Sequence, residues 1–223
     1  MSGFLDQLQA ALASMGDVRQ MIEIGGIAVM TVIVFAETGL LFGFFLPGDS
    51  MIVVAGILTT ANTHGDVARP ALLDPWSLTL SLILAAIVGN ELGRWLGLKF
   101  GERVERWPDG WLYKRRYLEA ARDYYATKGA SSLVMARFIP VIRTFIPFVA
   151  GMGRMPAGRF FRWNAIGAVL WIGSLVWLGR LIGPTPLAQN LGAVTLGVIG
   201  VSLSPLIWKA GRAWLSSSPG TKT

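Results

Sequence analysis

The sequence predicts an all-α integral membrane protein built from inverted repeats. The expected architecture has two opposed re-entrant helical segments, three to four transmembrane helices and an N-terminal amphipathic helix. Hydrophobic residues make up 53% of the 223 residues and charged residues only 15%, whereas soluble domains carry about 25% charged residues. Several apolar runs approach the roughly 20 residues that cross a bilayer. Two of the runs contain prolines and charges, which indicates segments that enter the membrane and return.

Residues 1–24 are predicted to form an interfacial region that begins with an amphipathic helix. Within Met1–Asp17 the apolar residues recur at helical spacing, at Phe4, Leu5, Leu8, Ala11, Leu12 and Met15. A helix with one apolar face lies in the plane of the membrane interface. Because this stretch has no basic segment before its first charge, Asp6, a cleavable signal peptide is not expected.

The first broken segment lies at the start of the predicted transport domain, residues 25–183. Gly25–Leu46 is long enough to span the bilayer, but it contains Glu37 and ends at a Pro-Gly-Asp turn that includes Asp49. Met51–Leu58 follows and is too short to cross alone. We therefore expect this region to dip into the membrane from the outside.

The second broken segment is Ser131–Met152. It is apolar, but it is interrupted by Pro140 and Pro147 and carries Arg137 and Arg143. Proline within a helix frees a backbone carbonyl group, and such groups are tolerated at membrane depth only where protein or water covers them. We expect a re-entrant hairpin that starts and ends on the cytoplasmic side.

Three further runs are predicted to be full spans, the last of them within a C-terminal unit, residues 184–223, that ends in a cytoplasmic tail. The three runs are Leu78–Leu98, Trp163–Ile182 and Leu191–Trp208. Lys99–Lys128 holds eight of the 20 Lys and Arg residues, whereas Gly183–Asn190 holds no charge. Because basic loops remain in the cytoplasm, the Lys99–Lys128 connection and the C-terminus are expected there.

A weak internal repeat accompanies these segments. A Phe-Leu-Pro triplet ending at Pro47 precedes Ala55-Gly56, and a Phe-Ile-Pro triplet ending at Pro140 precedes Ala150-Gly151. With the orientation above, the two copies enter the membrane from opposite faces. Inverted repeats whose broken helices meet near the midplane are typical of secondary transporters.

Four charges fall within or beside the broken segments, namely Glu37, Asp49, Arg137 and Arg143. A charge at the bilayer centre costs at least about 2.5–3.5 kcal/mol, so each requires a reason. Two guanidinium forks in a cavity suit a phosphate group, and Thr144 adjoins Arg143. Glu37 and Asp49 could exchange protons or gate the site. The alternative is that the acids only neutralise the arginines as buried ion pairs, and both roles could alternate during a cycle.

Composition excludes several other classes. The chain has no Cys and a single His, His64, which argues against disulfides, thiol catalysis, a metal centre and most enzymatic mechanisms. No cofactor and no enzymatic activity are expected. The net charge of +7 comes from cations that flank apolar runs, so anionic lipids rather than nucleic acid are the expected partners. The sequence leaves a homo-oligomer possible.

The second broken segment resembles the DedA family, whose domain is also called the VTT or SNARE-associated domain. The resembling residues there are Ala136–Pro140, Arg143-Thr144, Pro147, Ala150–Met152, Met155, Phe160, Asn164, Gly167-Ala168 and Trp171. In the first half they are Glu37, Phe45–Asp49 and the ladder Gly89, Gly93, Gly97 and Gly101. Where the family often has Asp after the first glycine of the ladder, this chain has Asn90.

The resemblance implies two inverted re-entrant helices around a polar cavity, in a bacterial membrane protein that depends on the proton-motive force. It maps the family's essential acids onto Glu37 and Asp49 and its essential arginines onto Arg137 and Arg143. Members are implicated in translocating polyprenyl phosphates and phospholipids. We therefore predict a lipid-phosphate flippase of the bacterial inner membrane that recycles undecaprenyl phosphate with proton coupling. A proton-coupled cation antiporter and a general phospholipid scramblase are the alternatives.

Overall fold

The computed structural model describes residues 22, 24–40, 48–61, 71–106, 108, 115–189 and five positions between 193 and 200. Within these ranges the regular structure is helical and contains no strand. The predicted N-terminal amphipathic helix and most of the predicted span Leu191–Trp208 lie outside the described residues, so both stay predictions.

The helices follow one another along the chain with short 3₁₀ turns between some of them. They are α1 (Ile24–Gly39), α2 (Gly48–Ile57), α3 (Pro75–Glu105), α4 (Arg115–Lys128), α5 (Ser132–Met135), α6 (Pro140–Met152) and α7 (Ala157–Ile182). The 3₁₀ turns are Gly129–Ser131, Ala136–Phe138 and Pro186–Gln189. The all-α prediction is thus confirmed for the described part of the chain.

Two of the helices, α3 and α7, are long and apolar enough to cross a membrane. At about 1.5 Å per residue, their 31 and 26 residues extend about 46 and 39 Å. Both exceed the predicted runs Leu78–Leu98 and Trp163–Ile182. Helix α3 begins early because Asp74 caps it, accepting a hydrogen bond from the backbone N–H of Ser77 at 2.7 Å, with Pro75 at the first helical position.

One face of α3 is exposed and apolar along most of its length. Its exposed side chains recur mostly four residues apart, at Trp76, Leu80, Leu84, Val88, Trp95 and Leu98. Trp76 and Trp95 lie about 28 Å apart along the helix axis, close to the roughly 30 Å of a bilayer core. The ammonium group of Lys99 lies 4.8 Å from the ring centroid of Trp95. This aromatic and basic boundary is typical of a membrane interface, and we call this end of α3 the basic end.

Helices α2 and α6 are too short to cross a bilayer, at about 15 and 20 Å. Helix α6 follows the chain break that Pro140 predicts. Ile139 is extended, with φ −121° and ψ 102°, because the ring of the following Pro140 disfavours helical backbone at that position. The short helix α6 therefore restarts after the turn that carries Arg137.

The short helices pack against the long ones, α2 against α7 and α6 against α3. Glycines make both helix contacts close. A Cβ atom added to Gly56 would overlap the backbone of Val176 and lie 3.2 Å from the Cα of Gly179. At the other contact, a Cβ on Gly151 would overlap the backbone of Arg94. Glycine is required at these points because only a residue without a side chain lets the two backbones approach so closely.

The connection predicted as a polar, basic stretch contains the helix α4, which the sequence analysis did not predict. Leu118 and Ala121 on this helix are buried with Phe145 and Val149 of α6. Their spacing of three residues places them on one face, while charged residues cover the other. Helix α4 therefore shields one side of α6 at the basic end.

Candidate functional site

The four predicted buried charges come together between the helices. Glu37 lies near the end of α1 and Asp49 in the first turn of α2. Arg137 lies on the 3₁₀ turn before α6, and Arg143 and Thr144 lie in the first turns of α6 itself. Glu37 and Arg137 are only 2% and 3% exposed. The break at the start of α6 is what brings the two arginines to one place from opposite sides of the turn.

Arg143 bridges both acids with its two terminal nitrogens. Nη1 donates to Oδ1 of Asp49 at 2.6 Å, and Nη2 donates to Oε1 of Glu37. One guanidinium fork thus contacts carboxylates from two different helices, α1 and α2. Charge-assisted hydrogen bonds of this kind are roughly twice as strong as neutral ones, so Arg143 joins α6 to the first half of the chain.

Arg137, by contrast, contacts no carboxylate among the described residues. Its Nη2 donates to the side-chain oxygen of Asn164 at 2.7 Å and to the backbone oxygen of Asn164 at 3.3 Å. The Asn90 amide, oriented to complement both neighbours, accepts from Nη2 of Arg137 at 2.9 Å and donates to the backbone oxygen of Thr38 at 3.2 Å. Nε of Arg137 has no acceptor within the described part of the chain. Arg137 is a buried cation held by neutral groups.

The indole ring of Trp171 lies beside both arginines. Its centroid is 5.1 Å from Cζ of Arg143 and 5.5 Å from Cζ of Arg137, within cation–π distance. Its Nε1 donates to Oδ1 of Asp49 at 3.0 Å. Trp171 therefore contributes to the cluster from α7 although it carries no charge.

Two glycines, one on α2 and one on α7, provide room for charged side chains of the cluster. A Cβ atom on Gly48 would overlap the carboxylate of Glu37, and one on Gly167 would lie 2.9 Å from Nε of Arg137. Contacts of this length require the neighbouring atoms to move. The positions of Glu37 and Arg137 thus depend on the absence of a side chain on α2 and on α7.

The space inside the cluster is small. A cavity of about 10 Å³ is lined by Glu37, Thr38, Asn90, Arg137, Arg143, Thr144 and Trp171. A water molecule needs about 10–15 Å³ by this measure, so the cavity holds one water at most. A phosphate group therefore does not fit inside the cluster in this arrangement of the helices.

The charges balance in number but not in pairing. Glu37 and Asp49 both contact Arg143, so the second positive charge, on Arg137, is compensated only at longer range. Buried guanidinium groups are costly when they lack a carboxylate partner. Arg137 can therefore bind an anion. Arg143 can exchange the carboxylates of Glu37 and Asp49 for another anion. Among the described residues, no three His, Asp or Glu side chains lie close enough together to hold a metal ion.

Asn90, Asn164 and Trp171 lie in the site but are not among the site residues predicted from the sequence. In the sequence, Asn164 and Trp171 are parts of the family motif, and Asn90 is a departure from it. A usable signal was present, since an amide within a long apolar helix is costly unless it has a partner. Asn90 and Asn164 are the buried amides of α3 and α7, the two long helices.

Long apolar helices, two short helices that cannot cross a bilayer alone and a buried charge cluster are typical of a membrane protein with a polar interior. Comparison with known proteins agrees with this class. The family model described as the VTT domain matches residues 46–181. The chain belongs to the DedA family of membrane proteins, which contain this domain.

Three relatives illustrate the similarity. Protein DedA of Escherichia coli K12 is 37% identical over 179 residues, covering 80% of this chain and 78% of that protein. The inner membrane protein YqjA of the same strain is 34% identical, covering 71% of this chain and 68% of YqjA. An uncharacterized membrane protein of Mycobacterium leprae is 31% identical, covering 86% of this chain and 82% of the relative. No solved structure matches the chain.

Proposed function

We propose that this protein is a lipid-phosphate flippase of the bacterial inner membrane, which recycles undecaprenyl phosphate and couples its movement to protons. One observation carries the proposal. Of the two buried arginines, Arg143 is held by both acids, while Arg137 is held by amides alone. Arg137 thus has no carboxylate partner among the described residues and can bind an anion. Arg143 can bind an anion only after its two carboxylate partners dissociate from it.

Arg137 is the proposed anchor for the phosphate group. A guanidinium offers several N–H donors in a planar fork that matches phosphate oxygens. The amides of Asn90 and Asn164 orient this fork without neutralising it. Thr144 lines the same cavity and is the proposed hydroxyl contact of the phosphate.

Arg143 is the proposed point of exchange between protons and phosphate. Protonation of Glu37 or Asp49 removes the negative charge that its fork now contacts. The fork then binds phosphate oxygens, and deprotonation of the acids expels the phosphate again. Binding of phosphate and of protons is thereby linked, since both compete for the same ion pairs.

The proposed path uses α2 and α6 as opposed re-entrant helices of an inverted repeat. Their equivalent packing, α2 against α7 and α6 against α3 with glycines at both contacts, supports this arrangement. The basic end of α3 is proposed to face the cytoplasm, as is the C-terminus, following the distribution of Lys and Arg. The relative YqjA is named an inner membrane protein, which supports the same membrane for this chain. The proposed cycle is a binding and release cycle without an enzymatic step.

A proton-coupled cation antiporter is the second candidate. One observation favours it: the oxygen Oε2 of Glu37 is buried and has no hydrogen-bond partner in the part of the chain that the structure describes. If Arg143 moved away, Glu37 and Asp49 would form a two-carboxylate site for a small cation. In the flippase, a phosphate group replaces the carboxylates that contact Arg143. In the antiporter, a small cation replaces Arg143 at the two carboxylates.

The test is a transport assay on the purified protein in liposomes. Translocation of undecaprenyl phosphate and of phosphatidylethanolamine is measured with and without a pH gradient. The proposal expects faster movement of undecaprenyl phosphate alone, with acceleration by the gradient. Glu37→Gln should remove the acceleration, because an amide cannot exchange a proton, whereas Glu119→Gln on the exposed surface of α4 should not.

Three results would contradict the proposal. Equal movement of both lipids indicates a general scramblase. Movement of neither lipid, with proton flux on addition of a monovalent cation, indicates the antiporter. Loss of the gradient response in Glu119→Gln as well as in Glu37→Gln would show that surface charge, not the buried cluster, senses protons.

A further inference from the structure

A second and much larger cavity lies at the basic end of the helices. It has a volume of about 720 Å³ and is formed by the last turns of α3, by α4 and by the turn that follows α6. This volume lies within the roughly 300–1,000 Å³ of small-molecule sites. We call this cavity the basin.

The basin is strongly cationic. Among the described residues, Lys99 and Arg103 of α3, Arg122 of α4 and Arg154 after α6 line it, with Glu102 as the one acid. Lys99 and Arg103 lie one helical turn apart, so they share a face of α3. Three segments that are distant in sequence thus direct four positive charges to one concave surface.

Arg154 adopts a conformation that is unfavourable for any residue except glycine. Its φ is +51°, in the left-handed region where a Cβ atom meets the following carbonyl oxygen. It occupies the left-handed position of a Schellman turn, in which Met155 N–H donates to Ala150 at 2.9 Å and Arg154 N–H donates to Gly151 at 2.9 Å. Glycine is the usual residue at this position. Here an arginine that lines the basin occupies it.

The basin is separate from the buried charge cluster. Helix α6 joins them, with Arg143 at the cluster and Met152 at the basin. The two residues are nine positions apart, which corresponds to about 14 Å along the helix axis. A phosphate group bound at one site therefore cannot contact the arginines of the other.

We propose that the basin is a binding site for a phosphate group, carried either by a lipid headgroup or by a soluble phosphate. Arginines from different segments can contact several oxygens of one phosphate. The exposed side chain of Leu98 and the ring of Phe100 line the same cavity and offer apolar surface beside the charges. The proposal does not depend on what the buried cluster transports.

A purely structural explanation covers only some of these cations. Lys99 and Arg103 lie near the C-terminus of α3, where positive charge is favourable for the helix dipole. The dipole of α6 also favours a cation at Arg154, just after its C-terminus, but glycine at position 154 would form the turn with less strain. A variant at this position can therefore separate ligand binding from stability.

The test uses the full-length protein in a maltoside detergent, which carries no phosphate. Binding of dioctanoyl phosphatidic acid, of inorganic phosphate and of phosphate-free dioctanoylglycerol is measured by calorimetry. Arg154→Gly should weaken phosphatidic acid binding about tenfold, the effect of losing one charge-assisted contact. The same variant should leave the melting temperature of the lipid-free protein unchanged or higher, because glycine relieves the strain.

Arg159→Gln and Arg162→Gln are the matched controls, since both are exposed arginines at the start of α7 that do not line the basin. They should bind phosphatidic acid as the parent protein does. Competition by inorganic phosphate identifies a soluble ligand, and binding of phosphatidic acid alone identifies a lipid. The proposal is wrong if neither phosphate probe binds, if dioctanoylglycerol binds equally, or if Arg154→Gly binds like the controls.

Discussion

The indole N–H of Trp171 donates to Oδ1 of Asp49 at 3.0 Å. The same oxygen accepts from Nη1 of Arg143 at 2.6 Å. A carboxylate of α2 is therefore held jointly by α6 and by α7. An acid with two donors on one oxygen is more firmly oriented than one with a single ion pair, so Trp171 positions the charge that faces Arg143.

Replacing Trp171 with phenylalanine separates the two contributions of the indole. Trp171→Phe keeps an aromatic ring beside Arg137 and Arg143 but removes the donor to Asp49. The lost hydrogen bond to a charged group is worth about 1.5–3 kcal/mol. We expect a lower melting temperature and a several-fold lower transport rate in liposomes. Trp177→Phe on the exposed face of α7 is the control, and an equal effect of both variants would argue against the positioning role.

The arginines should not be replaceable by lysine. Arg143→Lys keeps the charge but loses the fork that contacts Glu37 and Asp49 together, and Arg137→Lys loses the fork proposed for phosphate. We expect at least about tenfold slower lipid-phosphate transport in each variant, with normal amounts of protein in the membrane. Arg159→Lys at the surface should transport normally. Full activity of both buried variants would mean that charge alone is sufficient.

The close helix contacts at Gly56 and Gly151 should be sensitive to the addition of a single methyl group. Gly56→Ala and Gly151→Ala place a Cβ atom against the backbone of the partner helix, and overpacking of this kind costs about 1–3 kcal/mol. Gly158→Ala and Gly173→Ala are matched controls, since a Cβ there meets no atom within 4 Å. The controls should instead stabilise α7 by about 0.5–1 kcal/mol. Melting temperatures in detergent measure both effects. Equal shifts in all four variants would contradict the close backbone contacts at Gly56 and Gly151.

The proposed topology can be tested by cysteine labelling, because the native chain contains no Cys. Cysteines at Ser131 and Arg159 flank the α5–α6 segment and should react with an impermeant reagent only from the cytoplasm. Cysteines at Ala61 and Leu187, both exposed, should react only from outside. Reaction of Ser131 and Arg159 from opposite faces would mean that this segment spans the membrane, and the re-entrant arrangement would be wrong.

The parts of the fold predicted from the sequence are those that depend on local properties of the chain. Apolar runs identified α3 and α7, and Pro140 identified the break before α6. The helix bounds were less accurate because caps such as Asp74 extend a helix into polar sequence. Helix α4 was missed because its apolar face is narrow and its charges dominate the average hydropathy.

The site was predictable in its charges but not in its pairing. The cost of a charge in lipid selects Glu37, Asp49, Arg137 and Arg143 from the sequence alone. Which acid meets which arginine depends on how α1, α2 and α6 pack, and those contacts join residues about a hundred positions apart in the chain. An amide such as that of Asn164 is costly in an apolar helix without a partner, but the identity of that partner, Arg137, depends on how the turn before α6 packs against α7.

The equal numbers of acids and bases in the cluster have a consequence for the energetics of transport. A phosphate monoester carries about −1.5 to −2 charges at pH 7, and the cluster offers two carboxylates, Glu37 and Asp49, that can accept protons. A stoichiometry of two protons for each phosphate dianion would keep every loaded form of the cluster neutral. Under the proposed function, translocation is then electroneutral. Its rate should respond to a pH gradient across the liposome and remain unchanged when a potassium diffusion potential is imposed.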